Sequence, residues 1–219
     1  MHHAAVIFDF DGVIADSEML ANLVLAEELT RLGLPTSLEQ SYARYIGTRW
    51  DEMIARIEAA LGRAVPPDWS AQLSDTMMAR FRRDLAEVPG AGAFIAMLGS
   101  LPRGIASSSS PERLALCLEV LGLAEAFGPH VFSAELVTLG KPAPDIYLLA
   151  AERLGVAPEA CLVIEDSPSG VKAAKAAGME VVGLLAGAHI QPGHDARLRA
   201  AGADHLAPGW DAVAGLLRG

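Results

Sequence analysis

Asp9 and Asp11 stand two residues apart at the end of the apolar run AAVIFDFDGV, and Glu165 and Asp166 end a second run, CLVIEDS. In an extended strand alternate residues share a side, so the spacing predicts that Asp9 and Asp11 project together while Phe10 turns inward. Like charges at a half-buried strand end cost free energy unless a proton or cation compensates. Carboxylates from two such ends therefore predict a bound cation, and an all-oxygen donor set favours Mg2+ over zinc or copper. Two further stretches add complementary chemistry. RGIASSSS carries hydroxyls at Ser107 and Ser108, followed by Pro111 at a helix start, where backbone and hydroxyl donors suit an anion. Lys141, in LGKPAPD, is one of three lysines, with Lys172 and Lys175. Cation, hydroxyl, lysine and exposed carboxylate together describe a site for phosphoryl chemistry. Gly12 suits a positive φ beside such an anion.

The elements around these residues explain how they could meet. AAVIFDF reads as a short buried strand. Helical spacing then fills residues 17 to about 85, with breaks at Pro35, Gly47 and Pro66-Pro67 and no convincing strand. After VPGAG the pattern alternates: helix before RGIASSS, helix before HVFSAE, helix before CLVIEDS, helix before EVVGLLA, then HDARLRAAGA, DHLA and GWDAVAGLLRG. Alternating units of this kind predict an α/β fold, a Rossmann-like parallel sheet covered by helices on both faces. The expected organisation is a core of residues 1–15 and 86–219 with an all-helical cap domain, residues 16–85, inserted after the first strand. Ligands of open parallel sheets bind beyond the carboxyl ends of the strands, where both acidic pairs fall.

Composition narrows the partners. A net charge of -10 argues against nucleic acid and anionic membrane surfaces, which need a basic face. No apolar stretch approaches a membrane span, and the first residues do not resemble a signal peptide, so a cytoplasmic protein is expected. Cys117 and Cys161 sit in apolar elements and read as buried, reduced thiols. His189 and His194, in GAHIQPGHD, read as an ordinary loop rather than a metal site.

The motifs DFDGV, ASSS, KPAPD and VIEDS, in this order from Val6 to about Leu185, resemble those of the haloacid dehalogenase (HAD) superfamily, in its branch with a helical cap after the first strand. Within that branch the chain is similar to β-phosphoglucomutases and sugar-phosphate phosphatases, with segments similar to 6-phosphogluconate phosphatase. Val13 departs from the threonine common there, as in sugar-phosphate branches. The resemblance implies Asp9 as nucleophile, Asp11 as general acid and then base, and an aspartyl-phosphate intermediate. It implies Mg2+ held by Asp9, Asp166 and the Asp11 carbonyl, with Glu165 bound directly or through water. It further implies phosphate contacts from Ser107 (Ser108 as understudy), Gly12 and Lys141. Arg49 and Trp50, in the cap stretch GTRWDE, are candidate substrate contacts, against the plain alternative of a turn with Arg49 solvated and Trp50 packed.

Asp11 argues against dehalogenation, and the lack of lysine between Ser17 and Leu85 argues against phosphonate cleavage through a Schiff base. The expected enzyme is a phosphatase of a small phosphomonoester, acting as a monomer or small homo-oligomer. A phosphosugar mutase is the alternative, disfavoured by the absence of histidine from SEMLANL. A receiver-like phosphorylation switch or a non-catalytic binding module are remoter alternatives.

Overall fold

The computed structural model describes residues 3–46, 48 and 50–218. Strand β1 (Ala5–Phe8) is followed by four helices, α1 (Ser17–Arg31), α2 (Leu38–Tyr45), α3 (Trp50–Leu61) and α4 (Trp69–Asp84). Then come α5 (Ala91–Met97), β2 (Arg103–Ser107), α6 (Pro111–Leu121), the single turn α7 (Ala124–Phe127), β3 (Val131–Ser133), α8 (Asp145–Leu154) and β4 (Cys161–Glu165). The chain finishes with α9 (Pro168–Ala176), β5 (Glu180–Leu184), α10 (His194–Ala201), β6 (His205–Ala207) and α11 (Trp210–Arg218). It divides into two compact units, Met1–Asp16 with Ala86–Gly219, and Ser17–Leu85.

In the first unit the strands form one parallel sheet in the order β3-β2-β1-β4-β5-β6. Every residue of β1 and β4 is buried, as expected for central strands covered on both faces. Alternation along β1 divides the packing. Ala5 and Ile7 join Val163 in a layer closed by Ile146, Tyr147 and Ala150 of α8 and by Val171 and Ala174 of α9. Phe8 instead meets three aromatic rings, Phe94 of α5, Phe127 of α7 and Trp210 of α11, with centroids 6.1, 5.8 and 6.0 Å away. Such pairs add about 0.5–1.5 kcal/mol each beyond the area they bury.

The helices that follow β2 and β4 start where local chemistry dictates. Ser110 caps α6 by accepting from Arg113 N, with Pro111 in the first turn; Ser167 caps α9 by accepting from Gly170 N at 3.0 Å. The chain leaves and re-enters this unit at adjacent points. Asp16 N donates to Ala86 O (3.0 Å), and Val88 N to Ile14 O (2.8 Å).

The unit Ser17–Leu85 has its own core, built from Val24 and Leu29 of α1, Tyr45 of α2, Ile57 of α3, and Trp69 and Leu73 of α4. Helix α2 opens with a capping box, Ser37 and Gln40 exchanging side-chain and backbone bonds. Inside, the Ser41 hydroxyl donates to Asn22 Oδ1 at 2.9 Å, and Asn22 Nδ2 donates to Glu18 O, so these buried polar groups are bonded. Trp50, at the start of α3, is 50% exposed rather than packed, because the interior of this helix is filled by Met53 and Ile57. Arg49 and Gly47 lie outside the described residues. No helix among the described residues is long and apolar enough to cross a membrane.

Both cysteines are buried, and burial pushes each thiol up to about 11. A thiolate is the reactive form, so the folded protein will resist a thiol-reactive dye at pH 8, and both thiols will react at once in denaturant. Fast labelling of either in the native state would contradict that burial.

Candidate active site

Strand register brings the acidic residues together. Phe8 pairs with Ile164 of β4 and with Ile105 of β2, and Asp9 N donates to Ile164 O at 2.9 Å. Asp9, Glu165 and Asp166 therefore emerge side by side, and each offers a carboxylate oxygen within 4.8 Å of the others. All three are buried. Lys141 enters from the loop before α8, after which the Lys141–Pro142 peptide is cis. Its Nζ donates to Asp9 Oδ1 and to Glu165 Oε1, both at 2.6 Å.

Glu165 is completely buried and hydrogen-bonded at both oxygens. Oε1 also accepts from the Tyr147 hydroxyl (2.9 Å); Oε2 accepts from Asp166 N, Ser167 N and Ser167 Oγ at 2.8–3.0 Å. Room for this carboxylate exists because residue 170 is glycine: a Cβ there would lie 1.5 Å from Oε1.

Burial, with the charges of Glu165 and Asp166 beside it, holds the Asp9 carboxyl well above the usual carboxylate range despite Lys141. Burial would lower Lys141, but Asp9 and Glu165 outweigh it and hold the ammonium well above its ordinary value. When all three carboxylates are ionised, the single ammonium of Lys141 leaves two negative charges in excess, which is the state a bound cation favours. The donor set and this excess fit a divalent, oxygen-seeking cation.

The chain departs from the strand after Phe8, so the carboxylates of Asp9 and Asp11 serve different partners. Phe10 is fully buried, and Gly12, at φ +78°, turns the chain so that its N–H donates to Ala15 O at 2.7 Å. Asp11 Oδ2 accepts from Ser109 Oγ and Asp11 Oδ1 from Arg113 on α6, each at 2.5 Å. Ser107, at the end of β2, is buried and its Oγ accepts from Ser109 N at 3.1 Å; Ser108 is exposed. Ser133 Oγ, at the end of β3, donates to Ser109 O at 2.7 Å.

Sequence reasoning missed Ser109, Arg113, Tyr147 and the histidine loop. A third residue of the serine run and an arginine in the first turn of α6 were legible as types, but their partners lie far away in sequence. His189 and His194 are both buried and both reach Asp166. That stretch, read as an ordinary loop rather than a metal site, lies outside the acidic group that could hold a metal but touches one member of it, Asp166.

A parallel sheet with an acidic cluster at its strand ends and a helical insertion after the first strand is the architecture of a hydrolase family. The family model described as haloacid dehalogenase-like hydrolase matches residues 3–178, and the chain belongs to that family of enzymes. Among its relatives is the fructose-1-phosphate phosphatase YqaB of Escherichia coli, 31% identical over 82% of this chain and 95% of that protein. A haloacid dehalogenase-like protein of unknown function from Agrobacterium tumefaciens is similar in structure, with a TM-score of 0.88, at 33% identity over 99% of this chain and 98% of that one. A family hydrolase from Deinococcus radiodurans, solved with bound phosphate and sodium, aligns with a TM-score of 0.85, at 34% identity over 99% of this chain and 96% of the other.

Proposed function

We propose that the chain is a Mg2+-dependent phosphatase of small phosphomonoesters, sugar phosphates or sugar-acid phosphates, working through an aspartyl phosphate on Asp9. The observation that carries this reading is the buried group of Asp9, Glu165, Asp166 and Lys141, whose excess negative charge calls for a divalent cation beside a phosphoryl-sized anion. The phosphatase named among the relatives and the phosphate bound in a family structure support the substrate class.

In this reading an Asp9 carboxylate oxygen bonds to phosphorus as the ester oxygen leaves. Asp11 gives that oxygen its proton, then takes one from water as water attacks the aspartyl phosphate and frees Asp9. Asp11 exchanges its bonds to Ser109 and Arg113 for the ester oxygen when substrate arrives. Lys141 holds the nucleophile's orientation and offsets charge gathering on the phosphoryl oxygens. Ser107 and the backbone around Gly12 bind those oxygens, with Ser108 available at the rim. Asp9 and Asp166 would hold the cation with the Asp11 carbonyl, and Glu165, already bonded at both oxygens, would reach it through water. Bound Mg2+ supplies Lewis-acid neutralisation of the transferring group.

Phosphate release measured across sugar phosphates, sugar-acid phosphates and phosphoglycolate, with Mg2+ and with EDTA, tests the reading. Release that depends on Mg2+ is expected. Conversion of a sugar phosphate to its isomer without phosphate release would replace the phosphatase by the mutase.

A further inference from the structure

The stretch GAHIQPGHD, between β5 and α10, makes two separate contacts with one residue of the acidic cluster. His189 Nε2 lies 2.9 Å from Asp166 Oδ2. His194 Nε2 lies 2.5 Å from the backbone oxygen of the same aspartate. The second bond has a defined direction. Arg197 on α10 places a guanidinium nitrogen 2.8 Å from His194 Nδ1. A guanidinium only donates, so Nδ1 accepts, and the ring's proton sits on Nε2, facing a carbonyl that only accepts.

Space for His189 is specifically provided. A Cβ on Gly187 would stand 2.8 Å from the imidazole and 3.0 Å from Gly12 O. One on Gly12 would stand 2.7 Å from the ring and 2.0 Å from Asp166 Oδ2. Two glycines therefore form a slot that seats the ring edge against the aspartate. The mutually close oxygen donors are those of Asp9, Glu165 and Asp166 and do not extend to His189, so its place is behind a ligand rather than among the ligands.

We infer that His189 and His194 are positioning residues that clamp Asp166, carboxylate and carbonyl, in the orientation that receives the divalent cation, so that cation affinity depends on this loop. The inference rests on the proposed role of Asp166 as a metal ligand. Outer contacts of this kind fix ligand geometry, and their removal typically weakens metal binding about 10–100-fold.

Titration calorimetry of the EDTA-treated full chain with Mg2+ and Mn2+ reads the effect without turnover. His189→Ala is expected to weaken both cations by about tenfold or more. His189→Gln, whose amide nitrogen can occupy the Nε2 position, is expected to recover part of the loss. Arg197→Met, which frees the proton position of His194 without touching Asp166, is expected to give a smaller weakening. Melting in EDTA identifies any variant that fails to fold, and the other two then decide. Wild-type affinity in folded His189→Ala and Arg197→Met would overturn the clamp. Failure of the wild-type chain to bind either cation would instead overturn the metal role of Asp166.

Discussion

Asp9→Asn will cut phosphate release by more than about 10^3-fold, because it replaces the carboxylate proposed to attack phosphorus with a poorly nucleophilic amide of the same size. The comparison is made at saturating Mg2+ with each active substrate, and intact-mass measurement after rapid acid quench should show an added phosphoryl group on the wild type alone. Retention of a tenth of wild-type activity would sink the nucleophile assignment. The same variant carries a stability test of opposite sign. Asp9 is held above its ordinary value by burial and by Glu165 and Asp166, so the metal-free folded state binds its proton more tightly than the unfolded chain does. That contribution is complete below the unfolded value of roughly 3.9 and is lost as pH rises through the raised folded value. Asn never ionises, so in EDTA at neutral pH Asp9→Asn should melt no lower than wild type, and the fall in wild-type melting temperature on raising pH from 5 to 8 should shrink.

Lys141→Met will damage both activity and stability. The ammonium is 5% exposed, bonds to Asp9 and Glu165 at 2.6 Å, and lies 4.9 Å from the centre of the Tyr147 ring. Methionine fills much of the volume but leaves two buried carboxylates without their cation. Breaking a buried pair on one side costs about 3–5 kcal/mol, far more than a surface pair. Turnover should fall by about 10^2–10^3-fold, the scale seen when one preorganised electrostatic contact is removed. Urea unfolding at pH 7 and pH 5 checks the first part. The raised pKa of Lys141 means its stabilising charge is complete throughout this range and is lost only in strong alkali. The penalty in the variant should be smaller at pH 5, where Asp9 can take up a proton. Equal stability of variant and wild type at pH 7 would show that Lys141 does not compensate the carboxylates.

The parts of this structure legible in the sequence are those set by local pattern. Apolar runs ending in acids gave β1 and β4, and helical spacing with Ser110-Pro111 gave the start of α6. The positions of Asp9, Glu165 and Asp166 at the carboxyl ends of adjacent strands followed from parallel topology, because neighbouring strand ends lie in register, whereas Lys141 comes in from a loop. Contacts decided by rotation or by turns were not legible. Tyr147 reaches Glu165 because of how α8 is turned on the sheet. Asp11 meets Ser109 and Arg113 through long-range contacts that no local pattern announces. The histidines could not be placed, since nothing local says where a loop closes, and only the glycine slot around His189 shows what it closes on.

The sheet order carries a consequence for the chain during its synthesis. Strand β1 is made first but belongs in the middle, between β2, which ends at residue 107, and β4, which ends at residue 165. At roughly 5–20 residues per second, a ribosome takes roughly 8 to 30 seconds from finishing β1 to finishing β4. The core of the unit Ser17–Leu85, by contrast, draws its residues from within that one segment of chain. Until both neighbours arrive, AVIF is an apolar strand without its sheet partners. An unpaired apolar strand of this kind is open to association with other nascent chains, a hazard that the finished sheet no longer displays.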